Sequence, residues 1–232
     1  MKPAKLHYFK GRGRAETTRW MLAINNINFM NISLEDESDF INLIDSEKLP
    51  FNQLPLLELD DMKLSQSSAM ISYLARRGNL YGDTIEDALL CDMLVGAVID
   101  FNVPAMQFAF KAERNEACKD LDNSLNKFGK RFDFYLNKNE GEYLLGNKIS
   151  VADVIMAESL TSFIEFSPNC LKSYPILSHL QQKVVSVKSI NDYLNSGNRW
   201  CLPNEQYVID VARVLCRPLP PHMPDPNRFV KI

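Results

Sequence analysis

The first part of the sequence, residues 1–90, has no cysteine, and the first of the five cysteines is Cys91. Thiol–disulfide exchange in that part is therefore excluded, since the attacking group in such a mechanism is a cysteine thiolate. The five cysteines form no CxxC pair and show no metal-ligand spacing. An odd, scattered set of this kind indicates reduced thiols, so we expect a cytoplasmic protein without a metal site.

Positive charge and long apolar runs are also scarce. The formal net charge of −3 gives no reason to expect a nucleic-acid partner, because affinity for phosphate polymers rests on clustered positive charge. The N-terminus turns polar at Lys10 before an apolar signal region is complete. We find no stretch that approaches the roughly 18 to 20 apolar residues of a membrane span. The sequence therefore predicts neither a nucleic-acid partner nor a membrane partner.

The 232 residues, of which 46% are apolar, are enough for one large domain or two smaller ones. Up to Arg77, short segments of period two mix with helical segments, and the predicted order is β-α-β-α-β-β-α. After Gly78 the strand signals stop. We predict an α+β fold in which a βαβ-αββα domain over 1–81 precedes an all-α domain over 84–215 and a proline-rich tail over 216–232.

Near the N-terminus, the segment KLHYFKGRGRAE places Tyr8 shortly before Gly11 and Gly13. A dinucleotide-binding loop would need the pattern Gly-x-Gly-x-x-Gly, but Glu16 occupies the position of the third glycine, and a Walker ending is also missing. Two alternatives remain for the segment. It is either a flexible turn with solvated arginines or a turn that presents the Tyr8 hydroxyl to a substrate.

Two later segments favour the second alternative. In Gln53-Leu54-Pro55, Leu54 can offer its backbone N–H and C=O to an extended ligand. Gln66-Ser67 opens a helix, and a helix N-terminus is suited to bind a carboxylate. Each segment alone also has a structural explanation, a strand-initiating proline and an N-cap. A small peptide thiol would need these three groups for binding: a hydroxyl, a backbone N–H and C=O pair, and a carboxylate site.

These segments, with NLYG at 79–82 and GNKISVAD at 146–153, stand in an order and spacing that resembles the cytosolic glutathione transferases, class alpha most of all. The resemblance implies a thioredoxin-like first domain, a helical second domain, glutathione as co-substrate and a homodimer. It implies an enzyme that conjugates glutathione to hydrophobic electrophiles, with peroxidase or isomerase activity as further options. The alternative on the same scaffold is a non-catalytic carrier or a crystallin-like structural protein.

The resemblance also assigns roles to single residues. It makes Tyr8 the hydrogen-bond donor to the glutathione thiolate and Arg14 the source of positive field beside it. The implied contacts to the rest of glutathione are Gln53, Leu54, Pro55 with a cis peptide bond, Gln66, Ser67 and, toward the neighbouring subunit, Asp100. Phe51 matches the aromatic residue that locks the class alpha dimer. Asp153 matches a capping-box acid with a folding role.

Two positions depart from the class alpha pattern. Ile44 stands where class alpha has a basic residue for the glycyl carboxylate, and Lys48 is the nearest positive candidate to replace it. Ser68 replaces an arginine that many relatives carry, so the polar part of the dimer contact is expected to differ.

The second substrate needs an apolar wall, although ordinary core packing explains each candidate equally well. The candidates are Phe9, Met106, Phe110, Tyr207, Val208, Val211 and Leu215. The last four lie on a predicted helix that would act as a lid. A third and less favoured hypothesis makes the segment RPLPP at 217–221 a ligand for an SH3-type domain.

Overall fold

The computed structural model of the protein describes residues 2–138 and 142–223. Four strands form one sheet in the order β2-β1-β3-β4. They are β1 (Ala4–Tyr8), β2 (Phe29–Ser33), β3 (Leu56–Leu59) and β4 (Met62–Ser65). Strands β1 and β2 are parallel, and β3 runs antiparallel to both β1 and β4.

The connections between the strands explain this mixed sheet. Helix α1 (Glu16–Ile24) crosses from β1 to β2, and a helical crossover is what a parallel pair requires. Asp60 and Asp61 join β3 to β4, and both have positive φ angles, 48° and 64°. Positive φ at both central residues is the geometry of a tight hairpin turn that aspartate tolerates. Helices α2 (Glu37–Asp45) and α3 (Ser67–Arg77) complete this half of the chain.

All long elements that the structure describes after residue 77 are helices. They are α4 (Ile85–Gln107), α5 (Arg114–Lys138), α6 (Val151–Phe166), α7 (Pro175–Val185), α8 (Lys188–Leu194) and α9 (Glu205–Val214). Short 3₁₀ turns occupy Gly13–Ala15 and Phe108–Phe110. The predicted fold class is confirmed, with a four-stranded mixed sheet first and a helical part after it.

Helix α1 joins the two halves, because it packs on α3 from its own half and on α6 and α8 from the helical half. Its residues from Glu16 to Ala23 are all buried. Helix α6 is buried along most of its length and also contacts α4 and α7. The core of the molecule is therefore continuous from the sheet into the helices.

Asp153 has the predicted capping role at the start of α6. The backbone N–H and the hydroxyl of Ser150 donate to Asp153 Oδ2 at 2.8 and 2.6 Å. The backbone N–H of Leu144 donates to Asp153 Oδ1 at 2.7 Å. Burial raises the pKa of Asp153 to about 6, while these hydrogen bonds act in the opposite direction. The carboxylate thus fastens the preceding loop to the first turn of α6.

Helix α4 departs from the prediction that no stretch could span a membrane. The segment Ile85–Phe110 is long and apolar enough to do so by length and composition, with a mean hydropathy of 1.6 over an 18-residue window within it. This is weak evidence, since core helices of soluble proteins pass the same test. Ile85, Leu89 and Met93 are 80%, 62% and 55% exposed and lie four residues apart, so they form an apolar stripe on one face of α4.

The predicted tail over 216–232 is described in part. The structure follows it to Met223 and shows neither helix nor strand from Arg217 onward. The remainder, 224–232, lies outside the described residues.

Candidate active site

The Tyr8 hydroxyl lies at the end of β1, over the turn that the glycines form. Tyr8 Oη accepts a hydrogen bond of 3.0 Å from the backbone N–H of Arg14. Gly13 has a φ of +41°, and a Cβ atom there would lie only 2.5 Å from Tyr8 Oη. A larger residue would therefore be strained in its backbone and would collide with the hydroxyl. The glycine at 13 lets the turn close beneath the hydroxyl and direct an N–H toward it.

Tyr8 opens into a cavity of about 690 Å³ that both halves of the chain line. The first half contributes mainly polar side chains, among them Tyr8, Arg14, Gln53, Gln66, Ser67 and Ser68, together with Leu54 and Pro55. Of the predicted apolar wall, the structure brings Phe9, Met106, Phe110, Tyr207, Val211 and Leu215 to the same cavity. Residues that are far apart in the sequence thus meet around one hydroxyl.

The polar end of the cavity is built around Gln66. This residue has a φ of 67° and precedes α3, so the first N–H groups of that helix begin beside it. Gln66 Nε2 donates to Gln53 Oε1 at 2.8 Å, which fixes the two amide side chains together. The Leu54–Pro55 peptide bond is cis. Since the N-terminus of a helix carries partial positive charge, this end of the cavity is suited to a carboxylate.

Several predicted residues are not among those that line the cavity. Lys48 Nζ pairs with Glu58 Oε1 at 3.3 Å. Ile44, the position that departs from the class alpha pattern, lies on α2 and also does not line the cavity. Asp100 is exposed on α4. Phe51 is 65% exposed. Val208 is only 1% exposed and is not among the lining residues, and its helix α9 packs against α2 and the Phe108–Phe110 turn.

Apart from Met106, sequence reasoning missed the part of the wall that α4 and α6 supply. The additional lining residues there are Val98, Ile99, Asn102, Val103, Ile155 and Ser159. A signal for two of them was present in the sequence. Ile99, Val103, Met106 and Phe110 are spaced by four, three and four residues, which places them on one helical face. The two predicted members, Met106 and Phe110, therefore pointed to the other two.

The arginines of the opening segment differ in exposure, so the alternative of solvated arginines holds for only one of them. Arg14 is exposed. Arg12 is buried, donates from Nε to the Trp200 carbonyl at 2.8 Å and forms an ion pair with Glu165. Arg12 therefore anchors the glycine turn to the helical half of the chain.

A second buried ion pair lies directly below this turn, between Glu16 and Arg19. Arg19 Nη1 is 3.0 Å from Glu16 Oε2, and both side chains are 1% exposed. Glu16 Oε1 accepts hydrogen bonds from Trp20 Nε1 at 3.2 Å and from Tyr193 Oη at 2.9 Å. Because Tyr193 belongs to α8, this single carboxylate connects α1 to the helical half.

Glu158 on α6 is a further buried carboxyl near this cluster. Burial, and then the charge of Glu16, raise the pKa of Glu158 to about 8, although hydroxyls of Thr17 and Ser162 donate to it at 3.2 and 3.3 Å. The pKa in the folded protein thus lies above the ordinary 4.5. The folded protein keeps a proton that the unfolded chain has released, so the associated stability is complete below about pH 4.5 and is lost as the pH rises through about 8.

We expect Glu158→Gln to reduce this pH dependence, because an amide has the shape of a protonated carboxyl but does not ionise. Melting temperatures recorded from about pH 5 to about pH 9 should fall less for the variant than for the parent protein. Glu116→Gln, which changes an exposed carboxylate, is the matched control. If the melting temperature of Glu158→Gln falls with pH as much as that of the parent protein, Glu158 is not the source of the pH dependence.

Comparison with known proteins gives consistent matches over both halves. Residues 4–76 match the family model described as glutathione S-transferase, N-terminal domain, and residues 99–197 match the one described as glutathione S-transferase, C-terminal domain. The chain is 33% identical to glutathione S-transferase A1 of Bos taurus, over 90% of this chain and 95% of that protein. It is 32% identical to glutathione S-transferase alpha-3 of Rattus norvegicus, over 90% and 96%. The solved structure of NaGST-2 superposes with a TM-score of 0.75 at 25% identity, covering 85% of this chain and 98% of that one.

Proposed function

Because this chain belongs to the glutathione S-transferase family, we propose that it conjugates glutathione, through attack of its thiolate sulfur, to hydrophobic electrophiles in the cavity beside Tyr8. The observation that carries this proposal is the Tyr8 hydroxyl, which faces the cavity while its oxygen accepts the Arg14 N–H. With its oxygen held in this way, the hydroxyl proton is free to be donated to a sulfur atom.

The energy that this donation must supply is within reach of one strong hydrogen bond. A free thiol with a pKa of about 8.5 is only about 3% ionised at neutral pH. Lowering the pKa to about 6.5 requires roughly 2.7 kcal/mol of preferential stabilisation of the thiolate. A hydrogen bond to a charged group contributes about 1.5–3 kcal/mol. Tyr8, with the positive charge of Arg14 on the cavity wall, accounts for this amount.

The polar end of the cavity supports the remaining contacts to glutathione. In this proposal the N–H groups at the start of α3 and the Ser67 hydroxyl hold the γ-glutamyl carboxylate. Leu54 pairs its backbone with the cysteinyl residue, and Gln53 and Gln66, already joined by a hydrogen bond, flank it. Lys48 remains the proposed contact of the glycyl carboxylate, for which it would have to leave its ion pair with Glu58.

The apolar part of the cavity supports a hydrophobic second substrate. Phe9, Met106 and Phe110 contribute side chains to one part of the wall, and Val211 on α9 and Leu215 directly after α9 contribute to another. A wall of this composition favours electrophiles by apolar area and shape and gives little hydrogen-bonding specificity. Peroxidase or isomerase chemistry in the same cavity is a secondary proposal, since both also use an activated thiolate.

Turnover of a chlorodinitrobenzene with glutathione tests the proposed function. We expect the purified protein to release chloride and form the glutathione conjugate at a rate well above the uncatalysed one. The non-catalytic carrier hypothesis predicts that the protein binds the electrophile without any acceleration. Absence of turnover together with tight binding of the electrophile would favour that alternative.

We further propose that two copies of the chain associate through the exposed apolar stripe of α4 and the exposed Phe51 ring. Leu89 and Met93 are exposed in a single chain, and their burial in a pair would remove apolar surface from water. Asp100 lies exposed on the same helix, so this association would bring it toward the other copy. All five cysteines are free of disulfide bonds, which supports the proposal of a cytoplasmic location.

Leu89→Glu is expected to shift the protein toward a single copy, because it would place a charge inside the proposed apolar contact. Sedimentation velocity measures the mass directly. Ile41→Glu, which changes an exposed apolar residue on α2, should leave the mass of a pair unchanged. If Leu89→Glu sediments as a pair with undiminished affinity, the contact lies elsewhere.

A further inference from the structure

We propose that the Tyr207 hydroxyl is a positioning group for Tyr8, donating to the Tyr8 oxygen so that the Tyr8 proton is directed to the glutathione sulfur. Tyr207 Oη lies 3.3 Å from Tyr8 Oη, although 199 residues separate the two in the sequence. This inference rests on the proposed function and goes beyond an apolar role of α9, because it gives that helix a polar group at the reacting atom.

The Tyr207 ring fills the space that is left because Gly11 and Gly13 have no side chains. A Cβ atom on Gly11 would lie 2.3 Å from Tyr207 Cδ2, and a Cβ atom on Gly13 would lie 2.3 Å from Tyr207 Oη. The rings of Phe9 and Phe110 meet the Tyr207 ring edge to face at centroid distances of 6.3 and 6.1 Å. Tyr207 is 6% exposed, so its position is fixed by packing on several sides.

The first turn of α9 also holds Tyr207 in position. The side chain of Asn204 accepts a hydrogen bond from the Tyr207 N–H at 3.1 Å, which caps the helix at the residue that enters the site. At the other end, Cys216 has a φ of 47°, and the Arg217 N–H returns to the Ala212 carbonyl at 2.9 Å. Both ends of α9 are thus closed by local hydrogen bonds.

The direction of the hydrogen bond follows from counting protons. A tyrosine hydroxyl has one proton and two acceptor positions, and the Arg14 N–H occupies one of the latter at Tyr8. A thiolate only accepts, so with glutathione bound the Tyr8 proton goes to the sulfur. The Tyr207 hydroxyl must then be the donor in its contact with Tyr8.

The environment keeps Tyr207 in the protonated state that this role requires. Burial, and then the proximity of Tyr8, raise the pKa of Tyr207. Within the described residues, Tyr8 is the single hydrogen-bond partner of its hydroxyl. The separation of 3.3 Å is longer than the usual O–H···O distance of about 2.5–3.0 Å, as catalytic hydrogen bonds often are before the ligand is bound. An accepted hydrogen bond polarises the Tyr8 hydroxyl and strengthens its own donation.

Tyr207→Phe tests the proposal, because it removes the hydroxyl and keeps the ring in the same position. We expect the pKa of bound glutathione, read from thiolate absorbance, to rise by about half a unit to one unit. At neutral pH, kcat/KM should fall by about threefold to tenfold. The loss should disappear at high pH, where the thiol is ionised without help, and a merely structural defect would not be repaired in this way. Tyr143→Phe, a hydroxyl loss outside the cavity lining, should match the parent protein.

Gly11→Ala supplies an independent test, since its methyl group would displace the Tyr207 ring. It should raise the pKa of bound glutathione as Tyr207→Phe does, and combining the two changes should add little further shift. If the parent protein itself shows no lowered thiol pKa, the proposed function has failed. If the parent lowers the pKa and Tyr8→Phe abolishes that effect, but Tyr207→Phe titrates like the parent, only the role of Tyr207 is overturned.

Discussion

Tyr8→Phe is expected to raise the pKa of bound glutathione by about one to two units and to lower kcat/KM at neutral pH by about tenfold to a hundredfold. The variant loses the donor to the thiolate, a hydrogen bond of about 1.5–3 kcal/mol. It keeps the ring, which packs against Phe9 with centroids 4.7 Å apart, so the fold should be little affected. Titration of thiolate absorbance in the binary complex and the pH profile of kcat/KM measure the two effects separately.

The affinity for glutathione separates this role from a role in binding. The proposed contacts at Gln66, Ser67 and Leu54, which line the cavity, remain in the variant, so the dissociation constant should change little at a pH where the thiol is already ionised. Tyr73→Phe is a matched control, because among the described residues its hydroxyl accepts a hydrogen bond from Arg77 alone, and Tyr73 is not among the residues that line the cavity. A thiol titration in Tyr8→Phe that superposes on that of the parent would refute the assignment of Tyr8.

The fold could be predicted because its signals are local. Period-two segments, the Asp60-Asp61 turn and the capping pair at Ser150 and Asp153 each act over a few residues, and the structure shows all of them. The resemblance then supplied the candidate residues at Gln53 and Gln66, whose side chains the structure joins by a hydrogen bond.

The remainder of the site depends on partners that are distant in the sequence. Charged side chains are usually exposed, so the sequence alone does not predict that Arg12 or Arg19 is buried. Arg12 is buried because Glu165, 153 residues later, pairs with it. Tyr207 was expected only as apolar wall, since its meeting with the Tyr8 hydroxyl depends on the path of the chain into α9.

Glu16→Ala is the most destabilising substitution that we predict. It would leave Arg19 as a buried charge without its carboxylate and would remove the acceptor of Trp20 Nε1 and Tyr193 Oη. Breaking a buried ion pair from one side costs about 3–5 kcal/mol, because the remaining charge stays desolvated. We therefore expect the free energy of unfolding, measured by equilibrium denaturation in urea, to fall by about that amount.

An exposed ion pair serves as the control that shows whether burial causes the loss of stability in Glu16→Ala. Lys188 and Asp192 pair at 2.6 Å on α8, but their side chains are 88% and 62% exposed. Lys188→Ala should change the free energy of unfolding by no more than about 0.5 kcal/mol, since water and salt already screen that pair. A comparably small loss in Glu16→Ala would mean that the hydrogen bonds of Arg19 to Asn31 and to the carbonyls of Gly11 and Arg12, or water, compensate for the missing carboxylate. Because Tyr193 connects the carboxylate to α8, the full loss should appear as one cooperative transition shared by the sheet and the helices.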